Sequence, residues 1–392
     1  MVNILFVADK LALGNATIHG VTQLFSWWIP NFDPDKYQIT LCTFKGKDKA
    51  GEYLEKSGIK VIYFNRSKFS PAIFFDLLQT IKAHNINILH LHGYGACTYG
   101  RLASMLTHIP AVVHEHMVDE SMPPYFKLLD YLLSRWTERG IAISDAVAKF
   151  METSRHIPSH LVDVIPNGIP LEKFENIDSH QASSWKDEFS ISNEHQLVGI
   201  VGRLNPIKGH RFFLEAASIV LQSYPNIRFL VVGDGDLRTE LQEQAERLGI
   251  TDSVIFTGFR SDAFSIISAM DILVISSLSE GGPLTLFEAM AAGTAVIATN
   301  VIGLSHFVKP GESGYLVPSQ DSEALANRIL ELVQDQELCE KMGHVAKSMI
   351  QKQDNKSTVK AIEQCYEAVL QSSTKSRNLP DQTLAHQISM RS

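Results

Sequence analysis

A chain of 392 residues, 45% hydrophobic and 20% charged, is too long for one core and too apolar for disorder, so two domains are expected. The net charge of −8 is uneven, with 16 basic against 15 acidic residues in 1–165 and 19 against 28 in the remainder, and neither part has the clustered positive face of a nucleic-acid binder. No apolar run reaches the ~18 residues that a membrane-spanning helix needs. The four cysteines Cys42, Cys97, Cys339 and Cys365 form no C-x-x-C pair, which excludes a disulfide framework or zinc ribbon and fits a reducing cytoplasm.

In chain order, the opening run VNILFVA (from Val2) lacks a preceding basic region and a small-residue cleavage site, so it reads as a strand and not a signal peptide. The runs YQITLCTF (from Tyr37), KVIYF (from Lys60), INILHLH (from Ile86), PAVVHEH (from Pro110) and GIAIS (from Gly140) come next. They are continuous, as in strands covered on both faces of a parallel sheet. Amphipathic stretches such as Val21 to Ile29 and Ala72 to Lys82 alternate with them, the rhythm of a doubly wound α/β domain. A polar stretch from Leu171 to Gln196 breaks that rhythm and reads as a linker. LVGIVGR (from Leu197), IRFLVVGDG (from Ile227), VIFTGF (from Val254), ILVISS (from Ile272) and AVIAT (from Ala295) then repeat it.

The expected organisation is therefore an α/β fold with a first domain over 1–170, a linker over 171–195 and a second domain over 196–353. A C-terminal helix over 354–370 is expected to return to the first domain, and the Ser-rich, aperiodic tail 371–392 to be disordered. In such folds ligands bind beyond the carboxyl ends of the strands, so the informative residues should follow strands.

They do. In SSLSEGGPLTLFEAMAAGTAVIAT (Ser276–Thr299), Glu280 follows a strand and Gly281 and Gly282 permit a tight turn. Pro283 is expected at the first helical position, where its missing N–H costs nothing, and Gly293 at the helix C-cap. Free amides near Gly282, Leu284 and Thr285 would then offer a diphosphate site. Glu280 and Glu288 could accept hydrogen bonds from sugar hydroxyls. The competing reading is an ordinary helix with acidic residues near its start. In GRLNPIKGH, Arg203 and Lys208 follow a strand; an Arg–Lys pair can stabilise a departing diphosphate without a metal, or be two solvated surface cations.

IPNGI (Ile165–Ile169), GRLNPIKG, VVGDG with LGITDSVIFTGF, the E-x₇-E segment and ESGYLVP (Glu312–Pro318) occur in that order. Through them the chain resembles the retaining glycosyltransferases of family 4, across almost its whole length and most strongly from Ile165 to Pro318. The resemblance implies the GT-B fold, two Rossmann-like domains facing a cleft, with the first domain binding the acceptor and the second the nucleotide-sugar. It implies that Arg203 and Lys208 bind the donor diphosphate, helped by amides of Leu284, Thr285 and Leu286. Glu280 would hold the transferred sugar, Glu288 the ribose, and Phe259 and Arg260 would border the base. It also implies retention of configuration by front-face attack, with the leaving phosphate as base and no bound metal or other cofactor. The expected activity is transfer of a hexose from a nucleotide-sugar, UDP- rather than GDP-linked, to a saccharide or lipid-linked acceptor in cell-surface polysaccharide or glycoconjugate synthesis. A nucleotide-sugar epimerase of the same fold and a non-catalytic nucleotide-sugar binding module are the alternatives.

The chain departs from the family pattern in both domains. A Gly-Gly pair is usual after the first strand, whereas the longer loop ADKLALGNATIHGV has His19–Gly20 there, and GLSHFV (Gly303–Val308) has Ser305–His306 where Pro-Glu is more frequent. HLHG (His90–Gly93) and HEHM (His114–Met117) each place two histidines on one strand face. Acceptor-side polar contacts, packing and a metal site are all open readings. No carboxylate cluster or H-E-x-x-H supports a metal, and the resemblance puts His116 at the cleft floor beside His92, so an acceptor side of His19, His92 and His116 is expected. VVGDGD (from Val231) lacks the third glycine of a dinucleotide fingerprint, which argues against NAD. The helix-like PPYFKLLDYLLSRWTERG (Pro123–Gly140) can pack on the sheet or rest on a membrane surface, so peripheral contact at the inner face is carried as an expectation beside a cytoplasmic location.

Overall fold

A computed structural model describes all residues except 13–19, 68–69, 119–123, 176–184, 193, 261 and 378–392. Among the described residues thirteen strands form two sheets. The first contains β1 (Val2–Ala8), β2 (Tyr37–Thr43), β3 (Val61–Tyr63), β4 (Ile88–His92), β5 (Ala111–Glu115), β6 (Arg139–Ala142) and β7 (Val162–Val164) in the order β3-β2-β1-β4-β5-β6-β7. The second contains β8 (Gln196–Val201), β9 (Ile227–Val232), β10 (Val254–Gly258), β11 (Ile272–Ile275), β12 (Ala295–Thr299) and β13 (Tyr315–Val317) in the order β10-β9-β8-β11-β12-β13. Every pairing is parallel. Counted within its own domain, each sheet runs 3-2-1-4-5-6, with β7 appended to the first. Each therefore has a topological switch point, between β1 and β4 and between β8 and β11.

The expected strands are present because their residues are covered on both faces; Ile4, Leu5, Phe6 and Val7 are all fully buried in succession. Two edge strands were not expected. β7 and β13 have three residues each and are only partly buried, so neither shows the continuous apolar run of a central strand.

Two further regions add detail to the expected organisation. Within the expected linker 171–195, the described residues Leu171, Phe174, Trp185 and Ile191 are buried. Phe174 packs edge-on to Trp27 of the first domain at 6.4 Å and against Phe264 of the second at 4.0 Å. The tail does not lose its structure at 371, because the C-terminal helix spans Asn355–Arg377. Ser372 donates from its hydroxyl to the Val369 carbonyl one turn back and to Glu138 of the first domain; serine in a helix can satisfy its hydroxyl this way and let the helix continue.

That helix packs on the first domain. Asn355 Nδ2 donates to the Trp27 carbonyl at 2.7 Å, Thr358 Oγ1 to Pro166 at 3.0 Å, and Glu363 accepts the Asp33 amide at 2.8 Å. Where the chain enters and leaves the second domain the two crossings lie side by side, with Ile169 bonded through its amide to Gln353 and through its carbonyl to Asn355.

Candidate active site

The site is assembled from loops at the carboxyl ends of β8, β11, β4 and β5. In the second domain the loops after β8 and β11 are stitched together. Ser276 Oγ donates to the carbonyls of Lys208 and Gly209, the Leu278 amide to the Ile207 carbonyl, and Thr299 Oγ1 to the Ser277 carbonyl at 2.6 Å. Asn205 caps its own turn by accepting the Lys208 amide. This fixes Lys208 Nζ at 2.6 Å from Glu280 Oε1, the same oxygen that accepts a hydrogen bond from Ser277 Oγ at 2.6 Å. The Glu280 side chain is 9% exposed and that of Lys208 28%, so the pair sits in a partly desolvated pocket lined also by Ile200, Val274 and Thr285. Arg203 is exposed and its side chain makes no hydrogen bond or ion pair to a described residue. Its charge is available to an incoming anion.

The helix Leu284–Ala292 ends at Gly293 in the left-handed conformation, φ +82°. Pro283 is its N-cap, with extended backbone, and not its first helical residue. Proline offers no side-chain acceptor, so no cap occupies the first amides, and those of Leu284 and Thr285 stay open to a ligand. Glu288 lies one turn in. It is half-buried with no hydrogen bond from a described residue, and desolvation pushes its carboxyl up to about 7.

Glycines close the two domains onto each other. A Cβ at Gly281 would lie 2.2 Å from the His116 carbonyl oxygen, and one at Gly303 would lie 2.2 Å from that of Glu280. Neither position admits another residue without moving backbone. The sugar-binding loop candidate thus touches the strand end that carries His116, and GLSHFV supports that loop from behind.

In the first domain four histidines form one stack. His92 Nδ1 and His116 Nε2 are 2.9 Å apart, His90 Nε2 and His114 Nδ1 3.1 Å, and His90 Nδ1 meets the Tyr366 hydroxyl of the C-terminal helix. Trp28 stacks on His114 at 5.3 Å. Burial lowers His90 to about 3, and holds His92 and His114 well below their ordinary value. These imidazoles are neutral at pH 7. Donor atoms of His90, His92 and His114 lie within 4.8 Å of one another. However, the His90 and His114 rings are 7° from parallel and bonded nitrogen to nitrogen, so one of these nitrogens carries the shared proton and the other accepts it, and that pair of atoms is engaged with itself.

Beneath His116 lies a buried charge cluster that sequence reasoning missed. Glu115 Oε1 accepts the His116 amide at 3.3 Å, and Glu115 Oε2 lies 3.3 Å from Arg155 Nη1. Arg155 Nε lies 3.1 Å from Asp130 Oδ2, and the second Asp130 oxygen is held by Arg101 Nη2. The one available signal was Asp130, the lone acid in the apolar helix PYFKLLDYLL. Asp9 was also missed. Its carboxylate accepts the amides of Gly95 and Ala96 at the start of the helix after β4.

Lys208, Glu280, Gly281, Thr285, His92 and His116 are thus drawn together. Gly282 and Leu286 flank them on the same loop and helix. Gly20 opens the helix Gly20–Trp28, and no atom would meet a Cβ there within 4 Å. Phe259 is exposed at the end of β10, while Arg260 is held by Asp262 at 2.8 Å and Glu188 at 2.7 Å. His19 and residues 119–123 of the loop from His116 to Tyr125 lie outside the described residues.

Residues 182–349 match the family described as glycosyl transferases group 1, and residues 30–173 match glycosyltransferase family 4. The chain is 28% identical over 273 residues to the Escherichia coli UDP-Gal:alpha-D-GlcNAc-diphosphoundecaprenol alpha-1,3-galactosyltransferase, covering 67% of this chain and 70% of that one. It is 27% identical over 317 residues to the phosphatidyl-myo-inositol mannosyltransferase of Mycobacterium leprae, covering 79% and 81%. Among solved structures, Anabaena HepE in complex with UDP and glucose superposes with a TM-score of 0.81 at 23% identity, over 94% of this chain and all of that one.

Proposed function

This chain belongs to the group 1 and family 4 glycosyltransferases and has their GT-B fold, and from that premise we propose that it is a retaining hexosyltransferase using a UDP-sugar. We assign it a saccharide or lipid-linked acceptor in cell-surface polysaccharide or glycoconjugate synthesis. The donor assignment is supported by the complex of HepE with UDP and by the UDP-galactose in the name of the Escherichia coli relative, whose name also gives a lipid diphosphate acceptor.

One observation carries the reading. Lys208 and Glu280 form a close pair at the β8/β11 switch point, and the next residue, Gly281, abuts the backbone of His116 across the cleft. A donor diphosphate arriving there meets Lys208, the uncommitted Arg203 and the open amides of Leu284 and Thr285. These donors stabilise the charge that grows as the nucleotide departs, so no metal or other cofactor is assigned. As Lys208 turns to phosphate, Glu280 is freed to accept hydroxyl hydrogen bonds from the sugar. Glu288 takes the ribose: hydroxyl donors favour its ionised form and lower its raised pKa. Phe259 and Arg260 border the base, Gly20 lets the first-domain loop approach the phosphates, and His92, His116 and His19 face the acceptor. The acceptor hydroxyl attacks from the face the nucleotide leaves, giving its proton to a departing phosphate oxygen.

We place the enzyme in the cytoplasm, resting on the inner face of the membrane. No helix of the described residues is long and apolar enough to cross one. The helix Pro124–Leu133 nevertheless exposes Tyr125, Leu128 and Tyr131 by 58–61%, beside Lys127 and Arg135, the make-up of a surface-lying helix. The test is nucleotide release over a panel of UDP-, GDP- and ADP-sugars, with the anomeric configuration of the product read by NMR. No release from any donor, or an inverted product, overturns the corresponding part.

A further inference from the structure

The charge cluster beneath His116 is not explained by stability. Arg101 and Arg155 are fully buried, with Asp130 and Glu115 nearly so. Taking charges out of water costs several kcal/mol per ion, and well-packed apolar residues of similar size are often as stable or more so. Such a cluster fixes geometry. Its geometry has a direction. On one side Asp130 belongs to the helix Pro124–Leu133, which is gripped a second time where Phe126 stacks on Tyr94 at 6.0 Å. Tyr94 in turn lies 4.7 Å under the Arg155 guanidinium. On the other side Glu115 ends β5, holds the His116 amide and so sets the carbonyl that abuts Gly281.

We propose that Arg155 is a positioning residue for sugar transfer: bridging Asp130 and Glu115, it locks the strand end carrying His116 against the donor loop and ties it to the outer helix. The proposal rests on the transferase reading above for its kinetic consequence, but not for its structural one. Arg155 touches neither substrate. It acts through Glu115, whose two carboxylate oxygens face opposite ways, one to the guanidinium and one to the His116 amide. Arg101 supplies an internal control. It is equally buried and pairs with the same Asp130, yet its other contact is the Cys97 carbonyl and not Glu115.

The experiment compares Arg155→Met, Arg155→Lys and Arg101→Met in the full chain. The readouts are melting temperature, UDP affinity by calorimetry, nucleotide release per folded molecule, and the imidazole ¹H–¹⁵N spectrum with His116 assigned by its loss in His116→Gln. Arg155→Met is expected to cut release at least about tenfold, or ~1.4 kcal/mol in the barrier, to shift the His116 signals and to leave UDP affinity within about twofold. Arg155→Lys should regain part of the rate, since a lysine keeps the charge but cannot make both contacts. Arg101→Met should lower the melting temperature comparably but keep release and the His116 signals near wild type. Equal losses of release in Arg155→Met and Arg101→Met, or His116 signals unmoved in both Arg155 variants, would overturn the proposal. Should Arg155→Met not fold, Arg155→Lys with unchanged signals and rate overturns it alone. If the wild-type chain releases nucleotide from no donor, the transferase reading fails while the His116 spectrum still decides the positioning role.

Discussion

The two domains share one strand order and treat charge in opposite ways. At the carboxyl end of the second sheet, Arg203 stands exposed and Lys208 is held by a single carboxylate oxygen. At the same end of the first sheet, His90, His92 and His114 are stacked, buried and held neutral, and the arginines are paired beneath them. One topology thus presents cations at one strand end and, across the cleft, a floor of neutral imidazoles, which the proposed function assigns to a charged leaving group and a polyol. The difference lies in how the strand ends are held. Loops after β8 and β11 are laced by serine, threonine and asparagine to backbone, leaving Lys208 and Glu280 to pair at their tips. After β4 and β5 the side chains bond to one another.

The contrast predicts its own largest effect. Lys208→Ala should cut turnover at least tenfold and by up to about a hundredfold, because it removes a charge-assisted contact worth ~1.5–3 kcal/mol and leaves Glu280 without its cation. Arg203→Ala should cost about tenfold in turnover, close to the lower end of that range, with an unchanged melting temperature, since its side chain has no partner among the described residues to lose. Steady-state kinetics beside a thermal melt check both. A destabilised Arg203 variant would mean that the second domain also uses its cations structurally.

The glutamates should then separate. Glu280→Gln is expected to lower turnover more than UDP affinity, as its sugar contact matters most in the transition state. Glu288→Gln should mainly weaken UDP itself. A sign follows from the Glu288 pKa near 7: if ribose hydroxyls favour the carboxylate, UDP affinity is complete above pH 7 and falls as pH drops through it, by at most about tenfold per unit. Calorimetry from pH 5.5 to 8.5 should show this slope, and Glu288→Gln should flatten it. A wild-type affinity independent of pH in that window rules out Glu288 as the ribose contact.

On the first-domain side, His116→Ala should depress transfer while UDP affinity survives. A loss of UDP affinity as severe as in Lys208→Ala, or transfer at the wild-type rate, would remove His116 from the acceptor side.

What the sequence made legible divides along the same line. The second domain's site residues fall on three short segments with turn glycines and a proline marking their ends, so local spacing nearly suffices; even there Pro283 proved to be the cap and not the first helical residue. In the first domain, alternation along a strand puts His90 with His92 and His114 with His116, but the β4–β5 register aligning His92 with His114 is a tertiary fact. The Asp130–Arg155–Glu115 chain joins residues from three segments, and no spacing rule reaches across them. The buried aromatics of the linker, Phe174 and Trp185, were diluted by the polar residues around them. The edge strands β7 and β13 were too short to show a pattern.

A smaller effect separates the domains by stability. His90, His92 and His114 are held neutral by burial, with His90 at about 3, whereas in the unfolded chain each takes up a proton near its ordinary value of about 6.5. Depressed pKa values mean that stability is complete above 6.5 and is lost as pH falls below it, at up to ~1.4 kcal/mol per unit for each histidine. In the second domain, His210 is the described histidine with a lowered pKa, also about 3. Calorimetry between pH 7 and 5 should therefore show the first domain's transition falling faster. A steeper fall in the second would contradict the neutral stack.

The smallest expected effect is none at all: chelation by EDTA should leave turnover unchanged. A divalent ion on a diphosphate needs a carboxylate or imidazole to hold it, and the carboxylate beside Lys208 is engaged. Glu280 is taken by Lys208 and Ser277, and His90 and His114 are hydrogen-bonded to each other. Glu288, whose carboxylate has no hydrogen bond from a described residue, sits one turn into its helix and is assigned to the ribose, while the open amides before it are assigned to phosphate oxygens. The leaving charge then falls to Arg203, Lys208 and the helix start, whose strength does not depend on an ion in solution. Activity lost to EDTA and restored by magnesium or manganese would show that these cations do not suffice, and that the second domain neutralises its ligand in another way.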